Sequence, residues 1–289
     1  MTFLSICVPT YNRAEELNKL FNSSLGQEGV EFVICDDGSF DNTKEIVESY
    51  SRILNIKYFY QENKGRAHAL NFAIGAASGE FSLIMDSDDY FTLNGLSIII
   101  NYLKKNPYSD SFIFGVKAIK MNQVYKVHSP PRCESNFIAI RADYRIRGDL
   151  KEVVRSTVLK SFSYLPSADC RRVPTGLLWG LVGEKVDCIS VDEIVAVKEY
   201  LVGGMSDKIL ELKTANSMPM VQLYLLLSLS SRYKSRLSRW RYRILWSRYS
   251  FHSANFSYIY WWQKFVSPVG LFFYLLDRCR LKLRMVRSI

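Results

Sequence analysis

The apolar positions of the first 120 residues fall into short blocks. Residues 3–8 (FLSICV), 30–35 (VEFVIC), 56–61, 81–85 and 111–119 are compact hydrophobic runs of strand length. Between them the spacing changes to three and four. Leu17, Leu20 and Phe21 predict a helix that Asn12 would cap, with Glu15 and Glu16 in its first turn. Further helices are predicted from Asp41-Asn42-Thr43 to about Tyr50, over 67–77 with Gly79 as the stop, and over 93–105, stopped by Asn106-Pro107. Asp36-Asp37-Gly38-Ser39 reads as a turn with Gly38 left-handed.

Strand and helix thus alternate four times, which predicts an α/β fold with a mostly parallel sheet flanked by helices. Right-handed crossovers bring the carboxyl ends of such strands to one edge, where ligands bind. Pro9-Thr10-Tyr11, Asp36-Asp37 and Asp86–Asp89 should meet there. Beyond 120 the alternation weakens. Residues 122–150 read as loop-rich, 149–162 and 176–183 as helices, and 189–200 as a strand. The expected organisation is one domain over 1–218, with halves 1–120 and 121–218, followed by a tail over 219–289.

Composition sharpens that division. The chain has 289 residues, 48% hydrophobic and 23% charged, which suits a folded core and argues against global disorder. Its net charge of +10 is uneven: 219–289 holds 13 Lys/Arg against one acid, Asp277, whereas 1–218 is near neutral. Six cysteines, none in a C-x-x-C pair, suggest a reduced chain without a disulfide framework. The opening MTFLSICVPTYNR lacks a basic lead and a cleavage site, so no signal peptide is expected, and no apolar run reaches the ~18–20 residues that span a bilayer.

The stretch LIMDSDDY (83–90) runs an apolar strand into three carboxylates. Unpaired, they would raise one another's pKa. A divalent cation relieves that conflict, and oxygen ligands suit Mg²⁺ or Mn²⁺, which takes one or two protein carboxylates plus substrate phosphates. A metal–diphosphate is the expected ligand.

The segments ICVPTYNR, ICDDGSFDNT, ENKGRAHALNFAIGAASGEF and LIMDSDD, in this order and spacing, resemble the core of family 2 glycosyltransferases of the GT-A (Rossmann-like) fold. The likeness is strong over 3–105 and weaker to about 207. It implies inverting transfer from a nucleotide-sugar, most often a UDP-sugar, with 1–120 as the nucleotide-binding half and 121–218 as the acceptor half. By position, Pro9, Thr10 and Tyr11 would line the uracil and ribose, and Asp37 would meet the base. Gly65 would let the backbone approach and Arg66 would sit near the nucleotide. Asp86, beside Ser87, would meet the ribose or the sugar, and Asp88 and Asp89 would hold the metal.

Inversion needs a general base opposite the leaving group. Where relatives carry an acid after the proline of RVPTGLLW, this chain has Thr175. Asp149, Glu152 and Asp169 are the remaining candidates. As plain structure, Asp149 would be a helix N-cap and Glu152 its capping-box partner. A nucleotidyltransferase and a catalytically silent sugar-nucleotide-binding subunit remain alternatives.

The tail carries 16 aromatics, four of the five tryptophans among them, mixed with Arg232, Lys234, Arg236, Arg239, Arg241 and Arg243. That mixture suits amphipathic helices lying on an anionic membrane, not crossing it. Packing or dimerisation is the other reading, and nucleic acid is not the expected partner. A peripheral enzyme on the cytoplasmic face of the inner membrane, extending a lipid-linked glycan for O-antigen, capsule or exopolysaccharide, is the resulting expectation.

Overall fold

The computed structural model describes residues 2–121, 123–162, 173–200, 209–253 and 267–287. Along the chain these form β1 (Leu4–Thr10), α1 (Ala14–Asn22), β2 (Val30–Asp36), α2 (Thr43–Tyr50), β3 (Ile56–Tyr60), α3 (Arg66–Ala76), β4 (Phe81–Ile84), β5 (Asp89–Phe91), α4 (Gly95–Lys105), β6 (Ser111–Lys120), β7 (Gln123–His128), β8 (Cys133–Ser135) and α5 (Phe137–Ala142). They continue with β9 (Lys151–Arg155), α6 (Ser156–Lys160), α7 (Thr175–Lys185), β10 (Cys188–Tyr200), α8 (Ile209–Ala215), α9 (Ser217–Leu229), α10 (Arg236–His252) and α11 (Ser267–Arg287).

One sheet runs β3-β2-β1-β4-β9-β6-β10-β5, with β7 on β6 and β8 on β10. The pairs β1–β2, β1–β4, β2–β3 and β6–β10 are parallel. Strand parity sends successive side chains to opposite faces. Leu4, Ile6, Val8, Phe32 and Ile34 enter a core with Leu17, Phe21, Ile99 and Leu103 from α1 and α4. Cys7, Val33 and Cys35 enter a second core with Leu70, Ala73 and Leu178 from α3 and α7. Burial on both faces explains why β1 and β2 read as unbroken apolar runs.

The structure corrects the reading of 149–162 as a helix. Lys151–Arg155 is instead a strand, antiparallel to both β4 and β6, and only Ser156–Lys160 is helical. Val153 and Val154 are fully buried on opposite faces of the sheet, and β-branched residues suit that place. Asp149 and Glu152 therefore do not form a capping box. The stretch expected to be loop-rich also holds regular structure over its described residues 123–150, namely β7, β8 and α5. Asn12 does not cap α1, whose N-cap is Arg13. Asn12 has φ 50° and joins two loops, its N–H donating to Ser39 Oγ (2.8 Å) and its Oδ1 accepting from Phe40 N (3.0 Å). Gly38 is left-handed as predicted, with φ 88°.

Position 218 falls inside α9. There, Leu223 and Met220 pack with Trp246 and Tyr249 of α10, while Tyr242 joins Ile138 and Ala142 of α5. Tyr233 and Tyr242 of the tail thus serve as packing against α5 of the sheet-bearing body. No helix of the described residues is long and apolar enough to cross a membrane.

Candidate active site

The ends of β1 and β2 touch: Asp37 N donates to Thr10 O at 2.8 Å. Asp37 is buried and its carboxylate accepts from Gln61 Nε2 (2.7 Å), Lys64 N (2.9 Å) and Gly65 N (2.8 Å). These bonds fold the 61–65 loop back onto β2. Gly65, the N-cap of α3, has φ 98° and ψ 152°, a backbone state open to glycine at little cost. The next residue, Arg66, then projects its guanidinium onto Asp86, with Nε at 3.1 Å from Oδ1. Asp36 is tied separately by Ser39 N and the Tyr58 hydroxyl, which donates at 2.7 Å. Thr10 is buried with its Oγ1 lacking a partner, and Tyr11 stands 43% exposed beside Phe40. Pro9 is buried in β1 opposite Cys35.

Strand β4 then delivers the acidic turn, and its three carboxylates fare differently. Burial opposes the charge of Asp86, but Arg66, Lys198 and Lys151 outweigh it and hold the carboxyl well below its usual range. Asp89 is 1% exposed and ion-paired with Lys151 of β9, itself 5% exposed. Burial pushes the Asp89 carboxyl up while Lys151 and Lys198 pull it back, and Oδ1 has no partner. Asp88 has no hydrogen bond or ion pair to any described residue. Burial, then Asp86 and Asp89, raise its pKa to about 6. Ser87 is buried between them.

Three groups not anticipated from the sequence complete the arrangement. Lys198 of β10 lies 3.1 Å from Asp149 and 3.5 Å from Asp86, so it bridges the acidic turn to the start of β9. Burial works against its charge, but Asp86, Asp89 and Asp149 hold the ammonium protonated beyond its ordinary range. β10 reaches this position through register irregularities between Ser190 and Ala196. Lys151 stands opposite Asp89. Arg141 of α5 lies 3.2 Å from Glu152. Glu152 is buried, and that burial raises its carboxyl to about 7 despite Arg141 and Lys151. No local motif marks any of the three cations; β9 and β10, on either side of β6, bring in Lys151 and Lys198, and α5 brings in Arg141.

A cavity of about 400 Å³ gathers this set. Its lining includes Arg66, Asp86, Asp89, Lys151 and Lys198, then Arg141, Asp149 and Glu152, and also Thr175 and Trp179 of α7 with Tyr224 of α9. The structure thus brings Asp149 and Glu152 to the acidic turn. Asp169 lies outside the described residues. Thr175, at the position where the resemblance implies an acid, is the first residue of α7 and lines the cavity.

A Mn²⁺ or Mg²⁺ ion fits this donor set. Among the described residues no group of three or more His, Cys, Asp or Glu side chains is placed to cage a metal. A cation that keeps phosphate and water ligands needs only one or two carboxylates. Asp88, which lacks a hydrogen bond or ion pair among the described residues and faces two like charges, would supply one.

The family model for glycosyl transferase family 2 matches residues 5–164, more than half of the chain. Among curated relatives, the Escherichia coli UDP-Glc:alpha-D-GlcNAc-diphosphoundecaprenol beta-1,3-glucosyltransferase WfgD is 32% identical over 169 residues, covering 56% of this chain and 63% of that protein. The Staphylococcus aureus poly(ribitol-phosphate) beta-N-acetylglucosaminyltransferase TarS is 34% identical over 125 residues, covering 41% and 22%. An uncharacterized glycosyltransferase of Rickettsia conorii is 35% identical over 118 residues, covering 39% of this chain and 19% of its own length. The matches thus span less than two thirds of these relatives. In fold, the chain is similar to residues 1–349 of S. aureus TarS in complex with UDP (TM-score 0.60, 21% identity, 89% and 73% covered). It is also similar to the Pyrobaculum calidifontis mannosyltransferase PcManGT in complex with GDP-Man and Mn²⁺ (TM-score 0.56, 16% identity, 97% and 86% covered).

Proposed function

The chain belongs to glycosyl transferase family 2, and on that premise we propose that it moves a sugar, with inversion, from a UDP-sugar to a hydroxyl of a lipid-linked glycan. The observation that carries the proposal is that Glu152 lines the same cavity as Arg66, Asp86 and Lys198. The donor's base and ribose would lie over Thr10, Tyr11 and Asp37. Thr10 Oγ1 is a buried hydroxyl with hydrogen-bonding capacity to spare. Uridine is preferred because an acceptor-only carboxylate suits its imide N–H, and because WfgD is named for a UDP-sugar.

Asp88 would hold the divalent ion, which neutralises charge on the departing diphosphate when bound. Arg66 and Lys198 add fixed positive charge beside it and need little reorganisation during reaction. Glu152 would take the proton of the attacking hydroxyl. A carboxylate with a pKa near 7 balances availability against basicity. Asp149, held by Lys198 at the rim, would orient the acceptor. This arrangement favours a working enzyme over a silent binding subunit despite Thr175. WfgD is named for a diphosphoundecaprenol acceptor, which supports a lipid-linked glycan in surface-polysaccharide synthesis.

The test is calorimetry of UDP, GDP, ADP and CMP with and without Mn²⁺, followed by product analysis with the matching sugar donors. Tight, Mn²⁺-enhanced binding of UDP and release of free UDP on transfer are expected. Release of pyrophosphate instead would identify a nucleotidyltransferase and defeat the proposal.

A further inference from the structure

Helix α11 meets α10 along Gly270, Tyr274 and Asp277, an i, i+4, i+7 stripe. A Cβ on Gly270 would stand 2.3 Å from Ser247 Oγ, so the missing side chain lets the helices close up. The Tyr274 ring lies 4.8 Å from that of His252. Asp277, 1% exposed, accepts from Arg248 Nε (2.7 Å) and Nη2 (2.6 Å) and lies 3.1 Å from His252 Nε2. The rest of the helix start faces out: Val269, Leu271, Phe272, Phe273 and Leu275 are 38–57% exposed, and Arg278 and Arg280 follow, also exposed.

Asp277 is the sole acid of 219–289. Because it is turned inward and neutralised, this segment's described surface offers apolar groups and cations with no carboxylate among them. We propose that the outer face of α11 docks on an anionic lipid surface. Val269, Leu271, Phe272 and Leu275 enter the headgroup–acyl boundary, and Arg278 and Arg280 meet the lipid phosphates. Charge selects this occupant. A second copy would press two strongly cationic segments together, whereas anionic headgroups complement them. The consequence reaches the cavity, because α9 supplies part of its wall and packs on α10, which carries α11. The docked face and the site's wall therefore belong to one packed unit. The proposal stands on this face and not on the sugar-transfer reading.

The experiment is flotation of the full chain with mixed phosphatidylglycerol–phosphatidylcholine vesicles and with pure phosphatidylcholine vesicles. The chain should float with the mixed vesicles and partition at least about tenfold less onto the neutral ones. Phe272→Asp/Leu275→Asp and Arg278→Glu/Arg280→Glu should each lower partition onto the mixed vesicles about tenfold or more, at unchanged Tm, since all four side chains are exposed. A chain that stays down with mixed vesicles overturns the proposal, as do variants that float like the parent. A dimer in solution that Phe272→Asp dissociates assigns the face to a second copy and also overturns it. UDP calorimetry on the same samples without vesicles keeps the two readings apart: lost flotation with retained UDP binding refutes docking alone.

Discussion

Replacing Lys151 by methionine isolates the energetics of the acidic turn. The substitution keeps most of the side-chain volume and removes the cation opposite Asp89, which is 1% exposed. Breaking a buried ion pair at one partner costs about 3–5 kcal/mol, because the remaining charge is stranded. Lys198 stands near enough to compensate in part, since it already contributes to Asp89, so about 3 kcal/mol is expected. Asp89 can also escape by taking up a proton. Its folded pKa then lies above the unfolded value near 3.9, so the folded state binds more protons. The penalty is therefore full above the folded pKa and fades as pH falls toward 4, and at pH 7.5 protonation caps it at about 5 kcal/mol. The assay is urea denaturation of parent and variant in EDTA at pH 7.5 and 5. The double variant Lys151→Met/Asp89→Leu should recover most of the loss, since an apolar pair of similar volume is often neutral or stabilising. A loss below about 1 kcal/mol at pH 7.5, or one that does not shrink at pH 5, would refute the reasoning.

Glu152→Gln should lower kcat by about 10²–10⁴-fold with donor binding kept, measured by UDP release against calorimetry. In the parent, kcat/KM should rise with pH through an apparent pKa near 7, because the base form of Glu152 accumulates above its raised value of about 7; Arg141→Met should move that midpoint upward, since Arg141 lowers it. Asp88→Asn should abolish the enhancement of UDP binding by Mn²⁺. In the parent that enhancement should weaken below pH 6, where a proton on Asp88 competes with the ion. Lys198→Met should weaken metal-free UDP binding about tenfold while Lys198→Arg retains it, and equal affinities across the three proteins would remove Lys198 from the donor site.

The apolar blocks at 3–8, 30–35 and 81–85 determined by themselves the alternating α/β order and the strand ends that carry Thr10, Asp37 and Asp86. Burial on both faces demands unbroken hydrophobic runs, and turn residues must follow them, so local pattern suffices. The same logic failed at 151–155. KEVVR has charges at its ends and only two valines, and its strand character comes from a slot between β4 and β6 that no window of sequence contains. With that strand went Lys151. Lys151 matters because β9, held between β4 and β6, sets it in an ion pair with Asp89, and Lys198 because an irregular β10 carries it between Asp86 and Asp149. Which of three neighbouring carboxylates remains unpaired among the described residues depends on partners 62 and 112 residues away, and Glu152 carries a pKa of about 7 because the fold buries it. The tail shows the same division. Its charge was plain from composition, but the inward turn of Asp277 and the outward face of α11 exist only once α10 and α11 pack, because a helix has no inside until a neighbour gives it one.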